Sequence, residues 1–361
     1  MQEIYWINLI SPFIYGLLIN TLVKKKNNAK KIILIVFSIQ VTLIVGTRTI
    51  TTGADTFNYY QIFSYLQQNP NDFLHTSNVL VNNVEILYRL VCVVCGKVGI
   101  GFYGANILIA AATMYFFSCA VYKMTDDVLI SIFLYNSMFF VNNMMNQMRA
   151  SLVFAIVLYA TTFLLENKIV HFSFWTILAA GFHTSALIAL ALIPLYQMYI
   201  SRRVKILYVV LTFVSTQLLG IAYKLISLTN YGRYLGGGRD IAHSNSVILN
   251  FFVRLAMLLI VMHYYKIVVG DNKEYNTYYH MAFLCSAIQA LAIVSSLFAR
   301  VTTVFLGCYV VLFPRCISKG VRLLGNRYIV KALFFLGFIL YYYTMSKFHV
   351  GAGTAIYESI L

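Results

Sequence analysis

The 361-residue chain is 60% apolar and only 11% charged, where an ordinary soluble protein carries about 25% charged residues; a soluble globular domain is excluded and the chain belongs in lipid. Its 27 Lys and Arg against 11 Asp and Glu give a net charge of +16. That excess does not call for nucleic acid as a partner, because short basic cytoplasmic loops alone raise the charge of a multi-pass protein.

A span takes roughly 20 apolar residues to cross about 30 Å of hydrocarbon. About a dozen spans would consume roughly 240 residues and leave only short loops. The expected fold is therefore an all-α, polytopic transmembrane helical bundle of about 12 spans, with residues 1–361 forming a single integral membrane domain. The N-terminal MQEIYWINLI lacks a basic leader and a small-residue cleavage site, so the first apolar stretch, 4–23, reads as a retained span. Further spans are predicted at 32–47, 101–122, 128–145, 149–165, 205–222, 247–266, 278–298, 301–318 and 329–346. Residues 169–198 are too long for one straight span and carry His183 near their middle, which predicts two short helices meeting there. All six cysteines lie in apolar stretches, where a free thiol behaves as a small hydrophobe. Cys92 and Cys95 form a CxxC without the second ligand pair that a zinc site needs.

Orientation follows from the loops. The cluster KKKNNAKK (24–31) is the strongest basic signal and is expected inside, which places the N-terminus and the polar stretch 47–83 outside. Residues 84–100 carry Glu85, Arg89 and Lys97. Were they to cross, Lys123, SRRVK (201–205) and the basic run 319–327 would all move outside, so a re-entrant or interfacial helix is predicted instead. Lys123, Lys168, SRRVK, Lys273 and 319–327 then fall inside, and both termini outside. Five arginines break the positive-inside trend: Arg48, Arg149, Arg233, Arg239 and Arg300 come out at external span ends or in external loops.

An ionisable group at the centre of a span costs about 2.5–3.5 kcal/mol on insertion scales, so each needs a partner or a purpose. Five guanidinium groups on one face suit an anionic ligand, since each stays charged and offers a planar fork of donors. Four segments could carry chemistry. In RTITTGADTFNYYQIFSYL (48–66), positions Tyr59, Ile62, Phe63 and Leu66 follow helical spacing, and Asp55 stands where an N-cap would, next to Asn58. In VNNMMNQMRASLVFA (141–155), Asn142, Asn146 and Arg149 share one helical stripe and Asn143 pairs with Gln147, a lining suited to sugar hydroxyls. In AAGFHTSALIAL (179–190), His183 lies between two apolar half-spans, placed to act as a base, a donor or an anion contact. In the external loop SLTNYGRYLGGGRDIAHSNS (227–246), Tyr231, Arg233 and Tyr234 precede three glycines; aromatic faces stack on sugars and glycines let a loop close over a substrate. Arg300 is read as an external arginine between two spans.

In this order, Arg48 with GADTFNYY (53–60), NQMRASLVFA (146–155), GFHTSALIAL (181–190), YGRY (231–234) and FAR (298–300) resemble the EpsG-like family of bacterial polysaccharide polymerases, relatives in role of the Wzy O-antigen polymerases. The two large external loops of classical Wzy proteins are not evident. The resemblance implies growth of O-antigen, capsular or exopolysaccharide from undecaprenyl diphosphate-linked repeat units at the outer face of the bacterial cytoplasmic membrane. A hydroxyl of the acceptor glycan would attack the anomeric carbon of the donor while the lipid diphosphate departs. Arg149, Arg48 and Arg300 would neutralise the leaving group, His183 or Asp55 would accept the proton, and Asn58, Tyr59, Asn142, Asn146, Tyr231, Arg233 and Tyr234 would bind substrate. No cofactor or metal is expected. Membrane lipids surround the chain, and a chain-length regulator and a flippase are the candidate protein partners. Two other readings fit the same features: a flippase for the same lipid-linked oligosaccharides, and the ligase that moves finished polymer onto lipid A core.

Overall fold

Apolar runs interrupted by a few polar turns give helices and almost nothing else. The computed structural model describes residues 3–125, 127–217, 221, 224, 227–228, 245–269, 275–292, 296–320, 327–348, 354 and 356–360. Among these the helices are α1 (Glu3–Leu22), α2 (Lys26–Gly46), α3 (Thr56–Gln68), α4 (Val79–Asn82), α5 (Ile86–Lys97), α6 (Gly101–Met124), α7 (Val128–Ser137), α8 (Phe140–Asn146), α9 (Met148–Leu165) and α10 (Ile169–Ala180). They continue as α11 (Arg202–Gln217), α12 (Asn245–His263), α13 (Tyr265–Val269), α14 (Asn276–Leu291), α15 (Ser296–Leu306), α16 (Cys308–Gly320) and α17 (Arg327–Phe348). Short 3-10 segments cover Pro70–Phe73 and Thr184–Leu192. Residues 229–244, with Tyr231, Arg233, Tyr234 and Arg239, lie outside the described residues.

Four helices, α1, α2, α6 and α9, are long and apolar enough to cross a membrane, and the bent pairs α7–α8 and α15–α16 bring the number to six if each is one span. The chain is a membrane protein; the described residues supply four to six spans by length and composition where the sequence reading expects about twelve. Two of the predicted spans are broken. The predicted span 128–145 is two helices meeting at 50°, because Phe139 takes a left-handed backbone with φ 65°. Met138, Phe139, Phe140 and Val141 are all buried, the setting in which irregular backbone is tolerated at membrane depth. The predicted span 301–318 divides at Gly307 with a 45° bend. Arg300 therefore lies inside α15 and not in a connection between two spans. At 12 residues α5 is about 18 Å long, short of a crossing. The two short helices expected either side of His183 are present, the second of them 3-10.

α9 is enclosed by its neighbours: Val153, Ala155, Val157, Leu158 and Ala160 are fully buried. α1 lies at the rim and exposes Ile7, Ile10, Ile14, Leu17 and Leu18. Small residues set the close approaches: a Cβ on Gly46 of α2 would stand 2.9 Å from the Ile107 Cα of α6. Inside the bundle, amides replace water. Asn8 Nδ2 donates to Asn136 Oδ1 at 2.7 Å, Gln40 Nε2 to Asn8 Oδ1 at 2.7 Å, and Asn136 Nδ2 to the Asn8 carbonyl at 2.9 Å, tying α1, α2 and α7 together.

The two ends of the bundle are chemically distinct. At one end the C-terminal segment pairs with the α2–α3 loop: Arg48 and Ser359 form an antiparallel bridge, Ile360 N donates to the Thr47 carbonyl at 2.9 Å, and Thr51 donates to Glu358 Oε2 at 2.8 Å. Tyr5 near the N-terminus donates to the Thr354 carbonyl there as well. At the other end of α9, Glu166 is held between Lys123 and Lys168.

Candidate active site

The site is built where three connections meet at the N-terminal end of α9. Gly53 makes the first junction. It has φ 90°, and a Cβ there would stand 2.5 Å from the Met145 carbonyl oxygen, so glycine alone lets the α2–α3 loop lie on the C-terminal end of α8. Two hydrogen bonds follow from that contact. Asp55 N donates to Asn146 Oδ1 at 3.0 Å, and the Thr56 hydroxyl reaches the Met145 carbonyl at 3.0 Å. Asp55 precedes α3 in the N-cap position, but its carboxylate makes no capping bond. α3 buries Tyr59, Ile62, Phe63 and Leu66, the positions that its periodicity predicts.

The chain turns at Gln147, so Arg149 sits in the first turn of a new helix. The stripe expected to align Asn142, Asn146 and Arg149 on one helix face is broken there: Asn142 is buried within α8, and Asn146 faces the Asp55 amide. The break releases Arg149 toward α3 and α5. Its guanidinium lies 5.5 Å from the Tyr59 ring centroid and 5.8 Å from that of Tyr88, two rings that themselves pack 5.4 Å apart. Cation–π contacts of this kind are worth about 0.5–2 kcal/mol each, the more so when shielded from water.

Glu85 completes the site, and the sequence reading did not place it there. Its carboxylate takes a charge-assisted hydrogen bond from Arg149 Nη1 through Oε2 and one from the Thr184 amide through Oε1 at 3.0 Å. His183 Nδ1 is 3.9 Å from the same Oε1. Ser185 N donates to His183 Nδ1 at 3.3 Å, which assigns the neutral ring's proton to Nε2 and makes that nitrogen a donor. The only signal in the sequence was a lone carboxylate at the head of an apolar helix in a chain with 11 acidic residues.

The remaining predicted residues divide. Arg300, on α15, is within electrostatic reach of His183, as is Arg149. Arg48 is fully buried, donating through Nη1 to the Val45 carbonyl and through Nε to the Thr56 hydroxyl at 3.4 Å, and it is within electrostatic reach of Tyr59 and Tyr88. Asn58 is exposed on α3. Tyr231, Arg233 and Tyr234 lie outside the described residues. A cavity of about 620 Å³ between α2 and α6 is lined by Lys31, Ile35, Ile39, Leu43 and Tyr115 among others and contains none of these groups.

The site thus holds one carboxylate fixed between a guanidinium and a backbone amide, an imidazole whose Nε2 is the donor, and, at Asp55, a carboxylate that caps no helix, with the Arg300 charge within electrostatic reach of the imidazole. No curated protein and no solved structure matches the chain. A sequence model of the EpsG family matches residues 31–359, a stretch that contains every segment of this site, and the chain belongs to the EpsG family.

Proposed function

We propose that the protein polymerises lipid diphosphate-linked oligosaccharide repeat units at the outer face of the cytoplasmic membrane. Membership of a polysaccharide-biosynthesis family supports the polymer; the meeting of Arg149 and the His183 turn at Glu85, with Arg300 within electrostatic reach, supports the choice of chemistry. Guanidinium groups matched to a departing diphosphate contribute more as charge builds on it, and that difference accelerates the reaction. The lipid carrier is proposed to be undecaprenyl diphosphate, met by Arg149 and Arg300 on the side where the repeat units arrive.

In the reaction, an acceptor hydroxyl oxygen attacks the anomeric carbon of the donor sugar. The bond from that carbon to the diphosphate oxygen breaks, and its electron pair leaves with the phosphate. The hydroxyl proton passes to a carboxylate. Asp55 suits that role because its carboxylate caps no helix, whereas both Glu85 oxygens are engaged. His183 suits donation from Nε2 to a phosphate oxygen, because Nδ1 already accepts from Ser185 N. Asn146 and Tyr59, with Asn58, Asn142, Tyr231, Arg233 and Tyr234, are proposed to contact the glycan.

The test is purified protein in lipid with lipid-linked repeat units and no nucleotide sugar. A ladder of lengthening products is expected. Repeat units moved across the bilayer without elongation would instead make the protein a flippase, and transfer of one finished chain to a lipid A core acceptor would make it a ligase.

A further inference from the structure

Glu85 occupies the N-cap position of α5, yet its carboxylate gives α5 no capping bond. Both oxygens are turned to other elements: Oε2 to Arg149 at the start of α9, and Oε1 to the Thr184 amide, the first of the 3-10 segment. The same two segments meet a second time through the backbone, where Leu87 N donates to the Gly181 carbonyl at 2.9 Å. They also pack closely, since a Cβ on Gly181 would stand 2.5 Å from Leu87 Cδ1. Arg149 and Glu85 are each about 15% exposed, so the pair is mostly withdrawn from water, where charge-assisted bonds are stronger than at the surface.

We infer that Glu85 is the positioning residue of the site: its single carboxylate fixes the Arg149 guanidinium and the His183 turn relative to one another. The inference rests on the polymerase reading for its catalytic consequence, but not for its structural one. α9 and the 3-10 segment also pack on one another, but among the described hydrogen bonds and ion pairs only the Glu85 carboxylate ties the Arg149 guanidinium to the 183–185 turn. Once that carboxylate is removed, the charges of Arg149 and Arg300 act on His183 without Glu85 to offset them. The two donors lose the geometry needed on the transition state, while the cluster becomes more positive and keeps its hold on an anionic substrate. The loss therefore falls on kcat and not on KM. A general collapse of the fold would raise KM as well.

The experiment compares full-length wild type with Glu85→Gln, Glu85→Ala and Glu85→Asp in phospholipid nanodiscs, measuring steady-state elongation of lipid-linked repeat units and amide hydrogen exchange over residues 181–186. Expected are a fall in kcat of at least tenfold for Glu85→Gln and Glu85→Ala with KM within threefold, partial recovery in Glu85→Asp, and faster exchange over 181–186 in Glu85→Ala. A kcat within twofold of wild type in Glu85→Gln overturns the inference. So does unchanged exchange over 181–186 in Glu85→Ala, whatever the activity. A wild type that makes no ladder but whose 181–186 segment is freed by Glu85→Ala refutes the polymerase reading and retains the positioning role.

Discussion

The Arg149 guanidinium donates to the Glu85 carboxylate 64 positions away in the chain, while its Cζ lies 5.5 Å and 5.8 Å from the ring centroids of Tyr59 and Tyr88. Three segments that share no local pattern are thereby joined around one positive charge. Arg149 remains a fork of donors whose orientation is set by other residues.

If the proton leaves through Asp55, then Asp55→Asn should lower turnover by about 10²–10⁴-fold, the usual contribution of a general base. Thermal stability should hardly change, because the carboxylate caps nothing and the bond to Asn146 uses the backbone amide. Elongation kinetics and a melting curve on the same preparation check both halves.

His183→Gln keeps a side-chain donor in the turn and His183→Ala does not. With His183 acting through Nε2–H, the glutamine variant should retain several-fold more elongation than the alanine variant. Equal activity in the two would assign the imidazole another role.

Gly53→Ala places a methyl 2.5 Å from the Met145 carbonyl oxygen on a backbone with φ 90°. Strain of this kind costs about 1–3 kcal/mol. The substitution should lower the melting temperature and, by moving Asp55 off Asn146, reduce elongation as well.

Asn8→Ala removes two side-chain hydrogen bonds of the α1–α2–α7 amide network, none of whose members is bonded to Arg149 or Glu85 among the described contacts. Interhelical hydrogen bonds in membranes are worth about 0.6–2 kcal/mol each. The variant should melt earlier yet elongate at the wild-type rate per folded molecule.

Glu166 serves as a control at the other end of the bundle. Hydrogen bonds from Lys123 and Lys168 hold its carboxyl down at about 2, below the ordinary 4.5. Its contribution is thus present above pH 4.5 and is lost as pH falls through about 2. The pair is well exposed, with side chains 36–53% accessible, so Glu166→Gln should cost under about 1 kcal/mol at neutral pH and leave elongation unchanged.

Much of this arrangement is legible in the sequence because it is local. The apolar spacing of Tyr59, Ile62, Phe63 and Leu66 marks the buried face of α3, and the small residues around His183 mark a break. Long-range and irregular features are not. Glu85 finds its partners 64 and 99 positions away, and no period encodes such a meeting. Phe139 adopts a left-handed backbone without being glycine, so the span read as 128–145 is bent, and the chain turns at Gln147 without proline, so Arg149 leaves the stripe of Asn142 and Asn146. Arg48 shows the opposite failure. Its charge and place at a span end suggest an exposed ligand, yet the Val45 carbonyl and the Thr56 hydroxyl take it into the protein.

The central claim is that the Arg149 guanidinium acts on a departing lipid diphosphate, and single-turnover elongation by purified Arg149→Ala and Arg149→Lys tests it most directly. Both variants should bind repeat units yet leave them as single units, with lysine recovering little because it cannot present a planar fork. A full-length ladder from Arg149→Ala would contradict the account.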